Sequence, residues 1–203
     1  MTSVITGDII KSRNVTDQNL WLKTLKSALG ALSRDSSYYE VYRGDSFQIE
    51  CRDLLNSFEH ALYIKACIKT IRGLDVRLAI GIGTKSYQGK TVSESNGEAF
   101  VFSGETFETL KKEKNNLKLQ TRNIELNTEM NLYFKLALIA MDNWTVNTAE
   151  IVKLSLENPN MIQSDLAKLI GISQDAVSKR QKRAYLDELL ELDVLYKQKI
   201  AQL

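Results

Sequence analysis

The sequence predicts an α+β fold: an antiparallel sheet domain over residues 1–142, followed by an all-α domain over residues 143–203. Three observations carry that expectation. Short β-branched or alternating runs stand at Ser3–Thr6, Tyr38–Tyr42, Phe47–Cys51, Val76–Ile82 and Leu117–Thr121. Between them lie stretches with apolar residues every three or four positions, the spacing of an amphipathic helix. From Asn143 onward the periodicity is helical, and the only proline, Pro159, marks a helix stop.

Taken in order, Ser3–Thr6 reads as a buried strand that runs into a loop at Gly7-Asp8. Asp17 can cap a helix whose Leu20, Trp21, Leu25, Leu29 and Leu32 share one stripe. Tyr38–Tyr42 and Phe47–Cys51 form a hairpin with Gly44-Asp45 at its tip. Asp53 opens a second helix through Ile68, and Val76–Ile82 follows as a strand. Thr84–Ser95 is a polar loop. Ala99–Leu110 then predicts a helix, Leu117–Thr121 a strand, and Met130–Met141 a further helix. Strand, helix, hairpin, helix, strand, helix is the order of a ferredoxin-like βαββαβ sheet with helices on one face.

Asn143–Asn147 is a polar turn, and a helix runs from Thr148 to about Leu156. From about Pro159 a helix-turn-helix is expected. Leu166 and the small Ala167 face inward, Gly171 sits where the turn wants positive φ, Ser173 caps the second helix, and Val177 packs back on the first. Gln174, Asp175 and Ser178 then project where a recognition helix meets base edges, and Lys179, Arg180, Lys182 and Arg183 are suited to phosphates. The formal net charge of +2 makes this local cluster the place for any contact with double-stranded DNA. Tyr185–Leu203 is a helix with one apolar stripe, for packing on its own domain or for a dimer contact.

Several classes are excluded. No apolar run approaches the ~18 residues that cross a bilayer; the longest is Leu136–Met141. The N-terminus lacks the basic start and apolar stretch of a signal peptide. Cys51 and Cys67 sit among apolar neighbours and read as reduced core residues, so a cytoplasmic protein without membrane contact is expected. Two cysteines and one histidine make a zinc site improbable. His60 reads as a helix-surface residue, and Gly83-Thr-Lys-Ser86 lacks the glycine spacing of a phosphate loop.

Asp8 after its strand and Asp45 at the hairpin tip emerge at one sheet edge if their strands are neighbours. Two such carboxylates can hold Mg²⁺ or Mn²⁺, and through the metal a triphosphate. Val4-Ile-Thr-Gly-Asp-Ile-Ile10, Tyr42-Arg-Gly-Asp-Ser-Phe47 and Val76-Arg-Leu-Ala-Ile-Gly-Ile-Gly83 are similar to the metal-binding strand, hairpin and central strand of class III nucleotide cyclases. Ser93-Glu-Ser-Asn-Gly-Glu-Ala-Phe100 falls where those enzymes begin their catalytic helix. With its C-terminal unit the chain resembles the bacterial SatD family over nearly its full length.

That resemblance implies a cyclase-like domain fused to a DNA-binding one, metal at Asp8 and Asp45, and a nucleotide near Arg43, Gly44 and Glu94. It departs from cyclases at Val101 and Glu105, which take the places of an Asn and of an Arg that stabilises transition-state charge. Val41 replaces the base-reading Lys of adenylate-specific enzymes. No catalytic residue is therefore assigned. A homodimeric, ligand-responsive DNA-binding regulator is expected, ahead of a metal-dependent enzyme acting on a nucleotide or phosphorylated substrate, or a protein-interaction module.

Overall fold

A computed structural model describes every residue except Thr16 and Arg43. The described residues form five strands and eight α-helices. In chain order these are β1 (Thr2–Ile10), α1 (Gln18–Leu32), β2 (Tyr39–Tyr42), β3 (Ser46–Cys51), α2 (Ser57–Lys69), β4 (Asp75–Gly83), α3 (Glu98–Glu113), β5 (Leu117–Gln120), α4 (Ile124–Met141), α5 (Val146–Glu157), α6 (Gln163–Ile170), α7 (Gln174–Ala184) and α8 (Leu186–Ile200). The fold is mixed, with one mostly antiparallel sheet in the order β2-β3-β1-β4-β5; only β4 and β5 run parallel.

Alternation along the strands separates two faces. Ile5 and Ile9 of β1, Phe47 and Ile49 of β3, and Leu78 and Ile80 of β4 point into the main core with α1, α2 and α4. Val4 points the other way, against Ala99 and Phe100 of α3, and Thr6 donates to Ser103 of the same helix at 3.0 Å. Helices therefore cover both faces, where the sequence suggested one.

The helix starts follow local chemistry. Asp17 accepts the Asn19 amide at 2.9 Å and starts α1, as expected; Trp21, Leu25 and Leu29 are buried, whereas Leu20 is exposed. Asp53 caps a short 3-10 turn, Leu54–Asn56, that leads into α2. Asn123 accepts the Leu126 amide at 3.0 Å, so α4 begins six residues before Met130.

One expectation fails at Gly7-Asp8, which continue β1 instead of leaving it: the ladder with β4 runs unbroken from Thr2 opposite Gly83 to Ile10 opposite Asp75. Gly7 is needed for close approach and not for a turn. A Cβ there would lie 2.6 Å from the Phe47 ring and 2.7 Å from the Arg77 carbonyl oxygen.

The element pattern changes near residue 143, but the core does not stop there. Trp144, Ala149, Val152, Ala184, Leu189, Tyr196 and Ile200 belong to the same buried cluster as the sheet. Tyr196 of α8 packs beside the stacked rings of Phe58 of α2 and Phe134 of α4, at ring separations of 5.9 and 6.4 Å, and donates to the Leu54 carbonyl. Of the two roles open for the C-terminal stripe, its buried part packs within the chain, against the helices of the sheet domain.

Candidate functional site

Helices α5, α6 and α7 form a compact three-helix unit around Ile151, Leu166, Ala167 and Val177. Gly171 ends α6 at φ 70°, in the left-handed region where a side chain costs energy, and its amide donates to the Ala167 carbonyl. Ser173 starts α7 by accepting the Ala176 amide at 3.2 Å. Gln181 ties all three helices together, accepting from Gln163 at 2.8 Å and donating to Ser155 at 3.1 Å. Trp144 fixes the far end of α7, its indole N–H donating to the Ala184 carbonyl at 3.1 Å.

With Val177 and Ala184 buried, the opposite side of α7 faces solvent. Gln174, Asp175, Lys179, Lys182 and Arg183 are exposed there, and Ser178 is half-buried among them. Two cations have partners that the sequence did not reveal. Lys179 meets Asp175 one turn earlier at 2.7 Å; both are exposed, so the pair is worth less than about 0.5 kcal/mol and releases Lys179 readily. Arg180 departs from the expected phosphate set. It lies on the flank of α7 and meets Glu150 of α5 at 3.2 Å, bracing the unit from within. The outward cations are therefore Lys179, Lys182 and Arg183.

In the sheet, Asp8 and Asp45 do come close. The Ile9 amide donates to the Asp45 carbonyl at 3.0 Å, and Ser46 is the register partner of Asp8. Their surroundings differ from those expected of a pair that requires a cation. Arg77, opposite Asp8 on β4, grips both of its carboxylate oxygens, Nε at 2.8 Å and a terminal nitrogen at 2.6 Å. Asp45 accepts the Ser12 hydroxyl at 2.6 Å. Burial pushes the Asp8 carboxyl above its ordinary range, Arg77 pulls it back, and the charge of Asp45 adds a smaller upward push. Arg77 thus supplies the positive charge that the sequence left to a metal. Among the described residues no group of three or more His, Cys, Asp or Glu side chains is placed to hold a metal ion.

This arrangement makes a prediction. Arg77→Met should leave Asp8 and Asp45 unbalanced, so that Mn²⁺ raises the melting temperature of the variant more than that of the native protein. Equal shifts in the two proteins would contradict the balancing role of Arg77.

Of the nucleotide residues, Gly44 and Glu94 sit in different loops. Gly44 is exposed at φ 87° in the hairpin tip, and Arg43 lies outside the described residues. Glu94 accepts the Lys90 amide at 3.0 Å, closing its own loop, while its neighbour Ser93 meets Glu40 of β2. Val101 and Glu105 lie exposed on α3. His60 is not the surface residue expected: it is half-buried, with Nδ1 3.2 Å from the Cys51 sulfur. Burial pushes the Cys51 thiol up to about 12 and lowers the His60 imidazole, so both stay neutral near pH 7 and form no nucleophilic pair. Cys67 is also free and buried.

A concavity of about 660 Å³ opens at the end of β1 among Lys11, Arg72, Asp75, Asn116, Asp142 and Thr145. None of the expected site residues that the structure describes lines it. No helix among the described residues is long and apolar enough to cross a membrane. No protein-family model, curated protein or solved structure matches the chain.

Proposed function

We propose that the chain is a cytoplasmic DNA-binding transcriptional regulator, working as a homodimer, in which α6 and α7 are a helix-turn-helix and α7 is the recognition helix. One observation carries the reading. A helix capped by Ser173, packed on its neighbours through Val177 and Ala184, turns Gln174, Asp175, Ser178, Lys179, Lys182 and Arg183 outward together. An exposed, basic, short helix held rigidly at both ends is the form that enters a major groove and meets phosphates on either side. The likeness to the SatD family supports the same reading.

The N-terminal part is, on this reading, a ferredoxin-like, cyclase-like domain that has lost catalysis and acts as a sensor of a nucleotide, with Mg²⁺ or Mn²⁺ as its co-ligand. The strand order β2-β3-β1-β4 with α1 and α2 as its crossovers supports that lineage. The Asp8–Arg77 pair, with Val101 and Glu105 on α3, weighs against turnover of a nucleotide.

The test uses sequence readout. After selection of a preferred duplex from a random pool, Gln174→Ala is expected to weaken that site by about 1–3 kcal/mol and random DNA hardly at all. Equal losses on both would make Gln174 a positioning residue. A pool that yields no preferred duplex would count against the regulator reading itself.

A further inference from the structure

Helix α4 is apolar on two sides. Leu126, Met130, Phe134, Leu138 and Met141 enter the core, as one face of a packed helix should. The opposite side carries Ile124, Leu132, Leu136 and Ile139, exposed at 77%, 55%, 57% and 69%. They follow one another at intervals of eight, four and three residues, which places them on one stripe. A helix apolar all round is ordinarily buried all round; here the chain covers only half of it.

Beside the stripe runs a groove of about 500 Å³ between α4 and α8. The two helices are antiparallel, since Lys199 near the end of α8 meets Glu129 near the start of α4, while Glu188 and Ile139 line the other end of the groove. Its walls include Tyr133, Leu136, Ala137, Leu189 and Leu192, with half-exposed Tyr185 at its mouth, and Glu188 is its one charged lining residue. Ridge and groove together form a continuous apolar face.

We infer that this face is where a second copy of the chain binds, α4 against α4 about a two-fold axis with the two α8 helices alongside. Five large side chains, each more than half exposed, put several hundred Å² of apolar surface in water, the size at which a patch on a monomer marks an interaction site. A stable complex buries about 800 Å² per partner, and the exposed rim residues Glu125, Thr128, Lys135 and Glu188 extend the apolar face toward that size. Its exposed charges are two carboxylates and one lysine, so the face meets its own copy with little like-charge cost, and a two-fold contact requires a self-complementary patch. α4 leads through Asp142–Trp144 directly into α5, so a pair joined at α4 holds its two DNA-binding units at a fixed separation. The inference deepens the homodimer of the reading above, although its own support is apolar surface and not DNA.

Sedimentation equilibrium at micromolar concentration tests it. The native protein should be a dimer. Leu136→Glu combined with Ile139→Glu should give a monomer with unchanged circular dichroism, since both positions are exposed, and should weaken self-association at least a hundredfold. Leu190→Glu, an exposed apolar position outside the groove, should leave the dimer intact. A native monomer, or a dimer that the double variant leaves untouched, would overturn the proposal. Failure of the native dimer to bind DNA would sink the regulator reading alone.

Discussion

Lys65→Met is expected to destabilise the protein by about 2–3 kcal/mol, because it removes the buried cation of an ion network whose Asp142, 37% exposed, is partly screened by water. The Lys65 side chain is 1% exposed, with Nζ 2.6 Å from Asp75 and 2.7 Å from Asp142. Lys69, one turn on, meets Asp75 at 3.0 Å and the Asp142 carbonyl at 2.8 Å. Asp75 also accepts the Val76 amide, and Asp142 accepts from Asn116 at 2.9 Å, so the acids are held by further hydrogen bonds. Two lysines and two aspartates balance in charge, which is why α2 can bury them. Methionine fills the space of the lysine stem but leaves Asp75 and Asp142 short of one cation. Asp142 ends α4 and precedes the turn into α5, so the network also sets where helices α5–α7 leave the sheet. Urea denaturation checks the value, and a loss below about 1 kcal/mol would mean that water or Lys69 replaces the lost charge. Restoring balance with Asp142→Asn in the same chain should recover part of the loss.

The local signals in the sequence were the reliable ones. Asp17, Ser173 and Gly171 mark their helix ends through bonds to residues two to four positions away, and such bonds can be read from spacing. The hairpin was legible for the same reason. Gly7 was misread because a glycine in a turn and a glycine beneath an aromatic ring look alike without the ring, and Phe47 is forty residues on. The partners Asp8–Arg77, Arg180–Glu150 and Cys51–His60 depend on register or helix packing, which no spacing rule supplies. A hint did exist for the ion network: Lys65 and Lys69 stand four apart within the otherwise apolar stretch Ala61–Lys69, a place where charge must be balanced. The stripe on α8 announced a buried face but not its cover, and the outer stripe of α4 was hidden because its residues interleave with core positions.

The central claim concerns α7, and its most direct measurement is the salt dependence of duplex binding. Each phosphate neutralised contributes about 0.9 to the slope of log K against log salt. If Lys179, Lys182 and Arg183 all reach phosphates, replacing the three by Ala should lower the magnitude of the slope by about 2–3 and weaken binding to every duplex alike. Arg180→Ala, by contrast, should change the slope little, since that guanidinium is held against Glu150, and should act mainly on stability. The substituted positions 179, 182 and 183 are exposed, so the triple variant should keep the native melting temperature and any loss reports on contact with DNA. Fluorescence anisotropy of a labelled duplex, titrated with the native and triple-variant proteins at several salt concentrations, gives both slopes. The account predicts a steep native slope that flattens in the triple variant. Equal slopes for the two proteins, or no binding by the native protein at low salt, would contradict it.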